Sequence, residues 1–569
     1  MASLSDGISL EGLSKNESIK AASNHLRGLI KEELVEDTPA FGDASEQLLK
    51  FHGIYQQDDR DRRKEARARG LDKHHQLMIR TRIPGGIVSP DAYIAHDEIS
   101  RRWANGTLRV TTRQDFQLHG VLKGDIKKSI RAINDALLTT LGGCGDVERN
   151  IMCCPAPLDD EFHAQVQGSI SAMVKELTPR TAAYHEIWLD GEVVKTSEPE
   201  VEPLYREQYL PRKFKTTIAL EGDNCVDVYA HDLAIVAMKR ADGSLRGFNV
   251  LVGGGLGRTH NKPETFVAVA VPLAFVEPDQ IVELAREVVA VQRDYGDRTN
   301  RRHARLKYTI ADRGLEWFRN EVQQRVGFEL QPPEPLAWKP VDDHLGWHEQ
   351  GDGKLYIGIY IENGRIADVD GVRSRSGLRT IIEELRPEVR LTAQQNVILA
   401  GLEPSQKPRV EALMAEYGIA PVDSIPRAVR YAMACPAIPT CGLAVAEAER
   451  ALPSLVRQLS ALLDELGLAE ERISFRMSGC PNGCSRPYLG DVGFVGTTLG
   501  KYDVMLGGDF DGTRLNRVFA PNVPISEIAA LLRPLFVEFR TRHEPGEGFG
   551  NWVERVGFDA LRPLVEQTA

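Results

Sequence analysis

The sequence predicts an α+β protein built by internal duplication, with mixed sheets flanked by helices and a cofactor buried between two related halves. Three observations lead there. Strand-like alternation and helix-like periodicity are interspersed along all 569 residues, a length that implies roughly three or four domains. A fourteen-residue stretch near residue 108 recurs near residue 389. Four cysteines stand in two close-spaced pairs in the C-terminal third.

Composition narrows the class. Hydrophobic content of 42% and charged content of 27% are those of an ordinary globular protein. A net charge of −11 leaves no basic excess to displace counterions, which argues against nucleic acid as a partner. The first thirty residues are polar and lack an apolar signal core, and the longest apolar stretch, 266–276, is short and broken by Pro272. A cytoplasmic protein without membrane attachment is expected. The charged run at 56–69 reads as a solvated helix or arm. Leu77, Ile79 and Ile83 then mark a strand before the Pro84-Gly85-Gly86 break.

The repeat pairs Leu108-Arg-Val-Thr-Thr-Arg-Gln-Asp-Phe-Gln-Leu-His-Gly-Val121 with Val389-Arg-Leu-Thr-Ala-Gln-Gln-Asn-Val-Ile-Leu-Ala-Gly-Leu402. Five positions are identical and three exchange Val and Leu. A weaker echo links Val250-Leu-Val-Gly-Gly-Gly255 with Val504-Met-Leu-Gly-Gly-Asp509, each followed by an amphipathic helical pattern, at 279–293 and 525–540. Two echoes in the same order indicate duplication.

Eight cysteines in such a chain are not a disulfide framework. Cys144, Cys153, Cys154 and Cys225 lack ligand-like spacing and read as small buried hydrophobes. Cys435-Pro-Ala-Ile-Pro-Thr-Cys441 follows an alternation of Val429, Tyr431 and Met433 that predicts a strand. It precedes helical periodicity over 443–466, which Thr440 is placed to cap. This puts the pair at a helix N-terminus, where the dipole favours thiolate. Cys480-Pro-Asn-Gly-Cys484 is a tight turn after the strand pattern of Ile473, Phe475 and Met477. Four thiolates on two strand-end loops suit a four-iron cubane, and spacing alone leaves a structural zinc scaffold as the non-catalytic alternative.

At these residues the chain resembles the siroheme-containing sulfite and nitrite reductases, and further segments look like the bacterial hemoprotein subunits of assimilatory sulfite reductase. Segments 51–61, 209–216, 247–255 and 546–550 carry the likeness along the whole chain. It implies a duplicated, pseudo-twofold, three-domain siroheme reductase fold. The divisions are an N-terminal arm (1–65), a ferredoxin-like half-domain (66–142) and a reductase domain (143–340). A second half-domain (341–410) and the siroheme and iron–sulfur domain (411–569) complete it. Cys435, Cys441, Cys480 and Cys484 then hold a 4Fe-4S cluster, with Cys484 also the axial ligand of the siroheme iron. Arg80, Arg149, Lys213 and Lys215 match the family's cationic ring around the substrate, with Arg80 and the two lysines placed on alternating strands. Arg109, Arg113, Gln117, His119, Arg212, Lys307 and Asn482 match siroheme contacts. Thr112 departs from the family, where Asn is expected.

The activity implied is six-electron reduction of sulfite to sulfide. The rival is nitrite reduction to ammonia, but that branch tends to a neutral residue at the position of Lys215 and to Cys-Pro-Asn-Ser-Cys. With no flavin module or ferredoxin-like cysteine run in the chain, electrons arrive from a separate protein. The resemblance favours an NADPH-fed flavoprotein over a soluble ferredoxin.

Overall fold

A computed structural model of the chain describes residues 11–181, 188–189, 192–193, 202–339, 344–369 and 371–566. Among them, four five-stranded sheets form two matched pairs. No helix of the described residues is long and apolar enough to cross a membrane.

The first pair shows how the halves are joined. One sheet runs Ile54–Asp58, His75–Arg80, Phe116–Val121, Leu108–Val110 and then Arg365–Ile366, a strand from the second half. Its counterpart runs Gly346–Glu349, Leu355–Ile359, Val397–Leu402, Glu388–Leu391 and then Ile87–Val88, from the first half. Each half thus lends a two-residue strand to the other, with Ile366 opposite Leu108 and Val88 opposite Val389. Both lent strands follow a short 3-10 turn, Pro84–Gly86 or Glu362–Gly364, whose central residue is left-handed (Gly85 φ 61°, Asn363 φ 51°). The sequence repeat falls on the adjoining hairpins, and the helices Pro90–Trp103 and Ser374–Leu385 precede them.

The second pair shows the duplication strand by strand. The orders are Met152–Cys153, Thr216–Leu220, Leu233–Lys239, Leu245–Val252, Val271–Val276 and Ala432–Ala434, Phe475–Ser478, Val492–Thr498, Lys501–Leu506, Arg517–Pro524. In both, the first three strands are parallel and the last two antiparallel. Leu233–Lys239 is buried at all but its last residue, the continuous apolar run of a strand covered on both faces. The helices Ile281–Tyr295 and Ile528–Arg542 follow, packing stripes such as Ile281, Leu284, Val288 and Gln292 inward.

Part of the charged run expected in solvent lies in a sheet instead. Ile54–Asp58 pairs in register with His75–Arg80, burying Ile54, and Asp58 is satisfied by Arg63 at 2.5 and 2.6 Å. The helix Arg63–Ala68 alone buries nothing. The segment before this strand is also clamped: Glu17 binds Arg298 and Lys20 at 2.6 Å, and Lys20 donates to the Leu210 carbonyl.

Glu449 locks the exchanged strand in place. Its carboxylate accepts from Arg365 Nε and Nη2 at 2.7 and 2.9 Å and from Arg109, the residue paired with Arg365 across the sheet. Burial alone raises its pKa, but the two guanidiniums outweigh it and hold the carboxyl at about 2. A carboxyl depressed on folding stabilises above its unfolded value near 4.5, and that contribution fades as pH falls toward 2. Glu449→Gln is therefore expected to lower stability at pH 7 by about 3 kcal/mol, the scale of breaking a buried ion pair. In urea unfolding the gap to the wild type should narrow between pH 4.5 and 2. A constant gap across that window contradicts the assignment.

Candidate active site and metal centre

The cysteine loops leave one edge of one sheet. Ala432–Ala434 and Phe475–Ser478 are parallel neighbours with Ala434 opposite Met477, so Cys435 and Cys480 follow adjacent strand ends. The local elements differ from expectation in two places. Val429 lies in the short helix Arg427–Arg430, and the strand is only Ala432–Ala434. The helix expected from residue 443 begins at Leu452, so Cys441 has no helix N-terminus behind it and Thr440 caps nothing. The reason is competition for backbone groups. Val445 and Ala446 N–H both donate to the Gly479 carbonyl (2.8 and 3.0 Å), and Glu449 N–H donates to the Cys435 carbonyl (3.1 Å). Arg60 donates to the Cys441 and Ala444 carbonyls at 3.0 and 2.6 Å. These bonds stitch the two cysteine loops together. A side chain at Gly479 would meet Ala446 O at 2.5 Å and Ala437 Cβ at 2.6 Å, so only glycine fits.

Cys435 and Cys480 are buried, Cys441 half-buried and Cys484 exposed. Gly479 N–H and the Asn482 amide each donate to a sulfur, of Cys435 and Cys480, at 3.4 Å. Burial first, and then the charge of Cys484, pushes the other three thiols up, Cys480 to about 12. Four mutually repelling sulfurs ionise together only around a compensating cation, which is what a metal cluster supplies.

Cations surround Cys484. Lys213, Lys215, Arg113, Thr112, Asn482 and Cys484 line one cavity. The two lysines precede rather than belong to the strand Thr216–Leu220. They keep the alternation because Phe214 between them bridges to Glu148. Both lysine pKa values fall well below 10.5, through burial and then neighbouring positive charge: Lys215, Arg149 and Arg212 act on Lys213, and Arg113, Arg305 and Arg149 on Lys215. Arg80 ends the strand His75–Arg80. The Gln117 amide oxygen, turned toward it, accepts from its Nη2 and Nε at 2.5 and 3.1 Å. Arg149 donates to the Gly145 carbonyl at 3.3 Å, and Arg212 is 3.9 Å from Asp146, which mainly serves Arg301 at 2.6 Å. Two carboxyls behind the cations, Asp115 and Glu148, are pushed up to about 7 by burial, so they offset only part of the charge.

Buried polar atoms remain without a partner among the described residues: the donors Nε and Nη1 of Arg113 and Nε of Arg149, and Nδ1 of His119, a ring that burial keeps neutral. An orphaned buried guanidinium is expensive, and a polyanion seated against it removes the penalty. Donor set and orphaned groups therefore fit a large carboxylate-rich cofactor beside a four-thiolate cluster.

Other expected contacts are already committed within the protein. Arg109 binds Glu449 and the Ala434 carbonyl (2.8 Å). Lys307, with its pKa lowered to about 7 by burial, donates to the carbonyls of Gly255, Gly257 and Phe266. Thr112 donates to the Cys484 carbonyl at 2.9 Å, fixing the loop that aims that sulfur. Arg305, His231 and Arg486 also line the cavity and were not anticipated, although Arg305 stands in the basic run 298–307 and Arg486 two residues after Cys484. Arg305 is held by Asp232 (2.6 Å), and Arg486 shares Asp227 with Arg476.

Comparison with known proteins agrees with this geometry. The family described as nitrite and sulphite reductase 4Fe-4S domain matches residues 172–330 and 427–569, and the nitrite/sulfite reductase ferredoxin-like half domain matches 69–136 and 348–417. Each matches twice, once per half. The chain is 45% identical over 572 residues to a sulfite reductase (ferredoxin) of Synechococcus elongatus, covering 97% of this chain and 91% of the relative. It is 47% identical over 551 residues to a sulfite reductase (NADPH) hemoprotein beta-component of Methylobacterium nodulans, covering 96% and 91%. The structure of Mycobacterium tuberculosis NirA superposes with a TM-score of 0.79 at 24% identity, over 97% of this chain and 98% of that one, and shows the same fold. With both of its domain types matched in both halves, the chain belongs to the nitrite and sulphite reductase family.

Proposed function

We propose that this protein is the hemoprotein of an assimilatory sulfite reductase, reducing sulfite to sulfide by six electrons at a siroheme coupled to a 4Fe-4S cluster. The observation that carries the reading is the set of under-compensated cations facing Cys484. Cys435, Cys441, Cys480 and Cys484 would hold the cluster, and Cys484 would also serve the siroheme iron. Arg113, Arg212, Asn482, Gln117 and His119 would bind the macrocycle's carboxylates, while Arg109 and Lys307 are held by Glu449 and by backbone carbonyls. When bound, the paired cofactors supply electrons and a metal site for the substrate sulfur.

The chain's own residues do the rest. Arg80, Arg149, Lys213 and Lys215 receive the sulfite oxygens in charge-assisted hydrogen bonds, which draw electron density from the S–O bonds. Each departing oxygen must leave as water and so needs protons. A lysine made more acidic by burial and by cationic neighbours releases its proton more readily than one in water. A dianion also suits several cations better than singly charged nitrite does. The names of the relatives support sulfite as substrate and a separate donor, NADPH-linked in Methylobacterium and ferredoxin-linked in Synechococcus. We favour the NADPH-fed flavoprotein.

Lys215→Met should lower sulfite turnover roughly 10²-fold or more, the scale of losing a proton donor, with the heme spectrum unchanged. Unaltered turnover contradicts the assignment. Cys484→Ser should lose siroheme absorbance and disturb the iron–sulfur signal together. A variant that keeps one cofactor fully intact while losing the other shows that the sulfur is not shared.

A further inference from the structure

A second set of ligand-type side chains lies outside this centre. We propose that Cys154, Asp223, Cys225 and His344 bind one zinc ion that ties the start of the second half to the first-half sheet. Their ligand atoms all lie within 4.8 Å of one another. Three form a nearly equilateral triangle: Cys154 Sγ to Asp223 Oδ2 is 3.1 Å, Cys154 Sγ to His344 Nε2 is 3.3 Å, and His344 Nε2 to Asp223 Oδ2 is 3.1 Å. In a tetrahedral zinc site with ordinary bond lengths these edges are about 3.3–3.6 Å, so a slight opening admits the ion.

The arrangement is not a nucleophile with its base. In such a relay the thiol and the carboxylate use different imidazole nitrogens. Here both meet the same nitrogen, Nε2, which has one proton or one lone pair and satisfies only one of them. Convergence on a common point is what ligands do. Asp223 is also pre-oriented: its Oδ1 accepts from Cys225 N–H at 2.8 Å, leaving Oδ2 for the ion. Cys154 and Cys225 are buried, and the side chains of His344 and Asp223 are 15% and 16% exposed, so the site is closed, as in structural rather than catalytic zinc centres.

The duplication supports the same conclusion independently. Cys154 follows Met152–Cys153 as Cys435 follows Ala432–Ala434, and these strands hold equivalent places in matched sheets. Asp223 and Cys225 follow Thr216–Leu220, the counterpart of the strand before Cys480. The sequences agree: Met152-Cys-Cys-Pro-Ala156 and Met433-Ala-Cys-Pro-Ala437 match at four of five positions and lie 281 residues apart, the same separation as the 108/389 repeat. The proposed zinc therefore occupies the first-half counterpart of the iron–sulfur site, with two thiolates where the second half has four and with Asp223 and His344 completing the set. Two thiolates, one imidazole and one carboxylate in so tight a group suit a single ion and not a cluster.

The position gives the ion a structural task. His344 precedes Gly346–Glu349, the edge strand of the second half's sheet. Two residues beyond Cys225, Asp227 binds Arg476 and Arg486, the latter in the wall of the anion cavity.

The test is metal content of the intact holoenzyme. Protein with its full iron and siroheme complement, dialysed against EDTA-free buffer containing micromolar zinc and then desalted, should carry one zinc per chain by mass spectrometry. X-ray absorption should show two sulfurs near 2.3 Å and two lighter ligands near 2.0–2.1 Å. His344→Ala should lose zinc at least tenfold while keeping siroheme and iron–sulfur absorbance. Should that variant fail to fold, the wild-type zinc count and its absorption edge decide alone. Zinc well below one per chain, an all-sulfur shell, or a Cys154–Cys225 disulfide in non-reducing peptide maps overturns the proposal.

Discussion

Positive charge buried around one exposed sulfur is the constraint on which the rest of this structure depends. Lys215 and Arg149 help to lower the protonation of Lys213, Arg113 and Arg149 that of Lys215, and buried donors of Arg113 and Arg149 have no partner among the described residues. Left to itself such a set is repulsive and under-solvated, each unpaired charge adding several kcal/mol of unfavourable free energy. Rigid strand ends and cross-linked loops keep it assembled, and a bound polyanion relieves it. Affinity for an anionic macrocycle and readiness to take an anionic substrate are two results of one electrostatic arrangement.

Duplication supplies the rigidity. The halves exchange a short strand in each direction, and Glu449 fastens one of these exchanges by joining Arg109 and Arg365 across the seam. The same Glu449 reaches back through its amide to the Cys435 carbonyl, so the clamp between halves is also a support of the cysteine loop. Equivalent strand ends in the two halves present metal-ligand side chains, with a different complement in each.

Much of this was legible in the sequence. The 108/389 repeat falls on matching hairpins, and the 250/504 echo on matching strands with a helix after each. The cysteine turns were legible because proline restricts the backbone and glycine admits conformations that other residues avoid, as at Gly483 with φ +62°. Periodicity misled where backbone groups find partners far away. Residues 443–451 have helical spacing, but Gly479 and Cys435 capture their amides, and no local pattern reports that. Ile54–Asp58 was hidden because a strand of polar residues carries little hydrophobic alternation. The cluster of Cys154, Asp223, Cys225 and His344 was missed for a third reason. Its ligands come from distant segments and meet only through the fold, although the repeated Met-x-Cys-Pro-Ala was a signal within reach.

The central claim is that the cationic pocket is built for a doubly charged, three-oxygen anion. Parallel steady-state turnover of sulfite and nitrite by the same holoenzyme, with one artificial electron donor, tests it most directly. The account predicts a higher kcat/KM for sulfite, by at least tenfold. A higher kcat/KM for nitrite contradicts it.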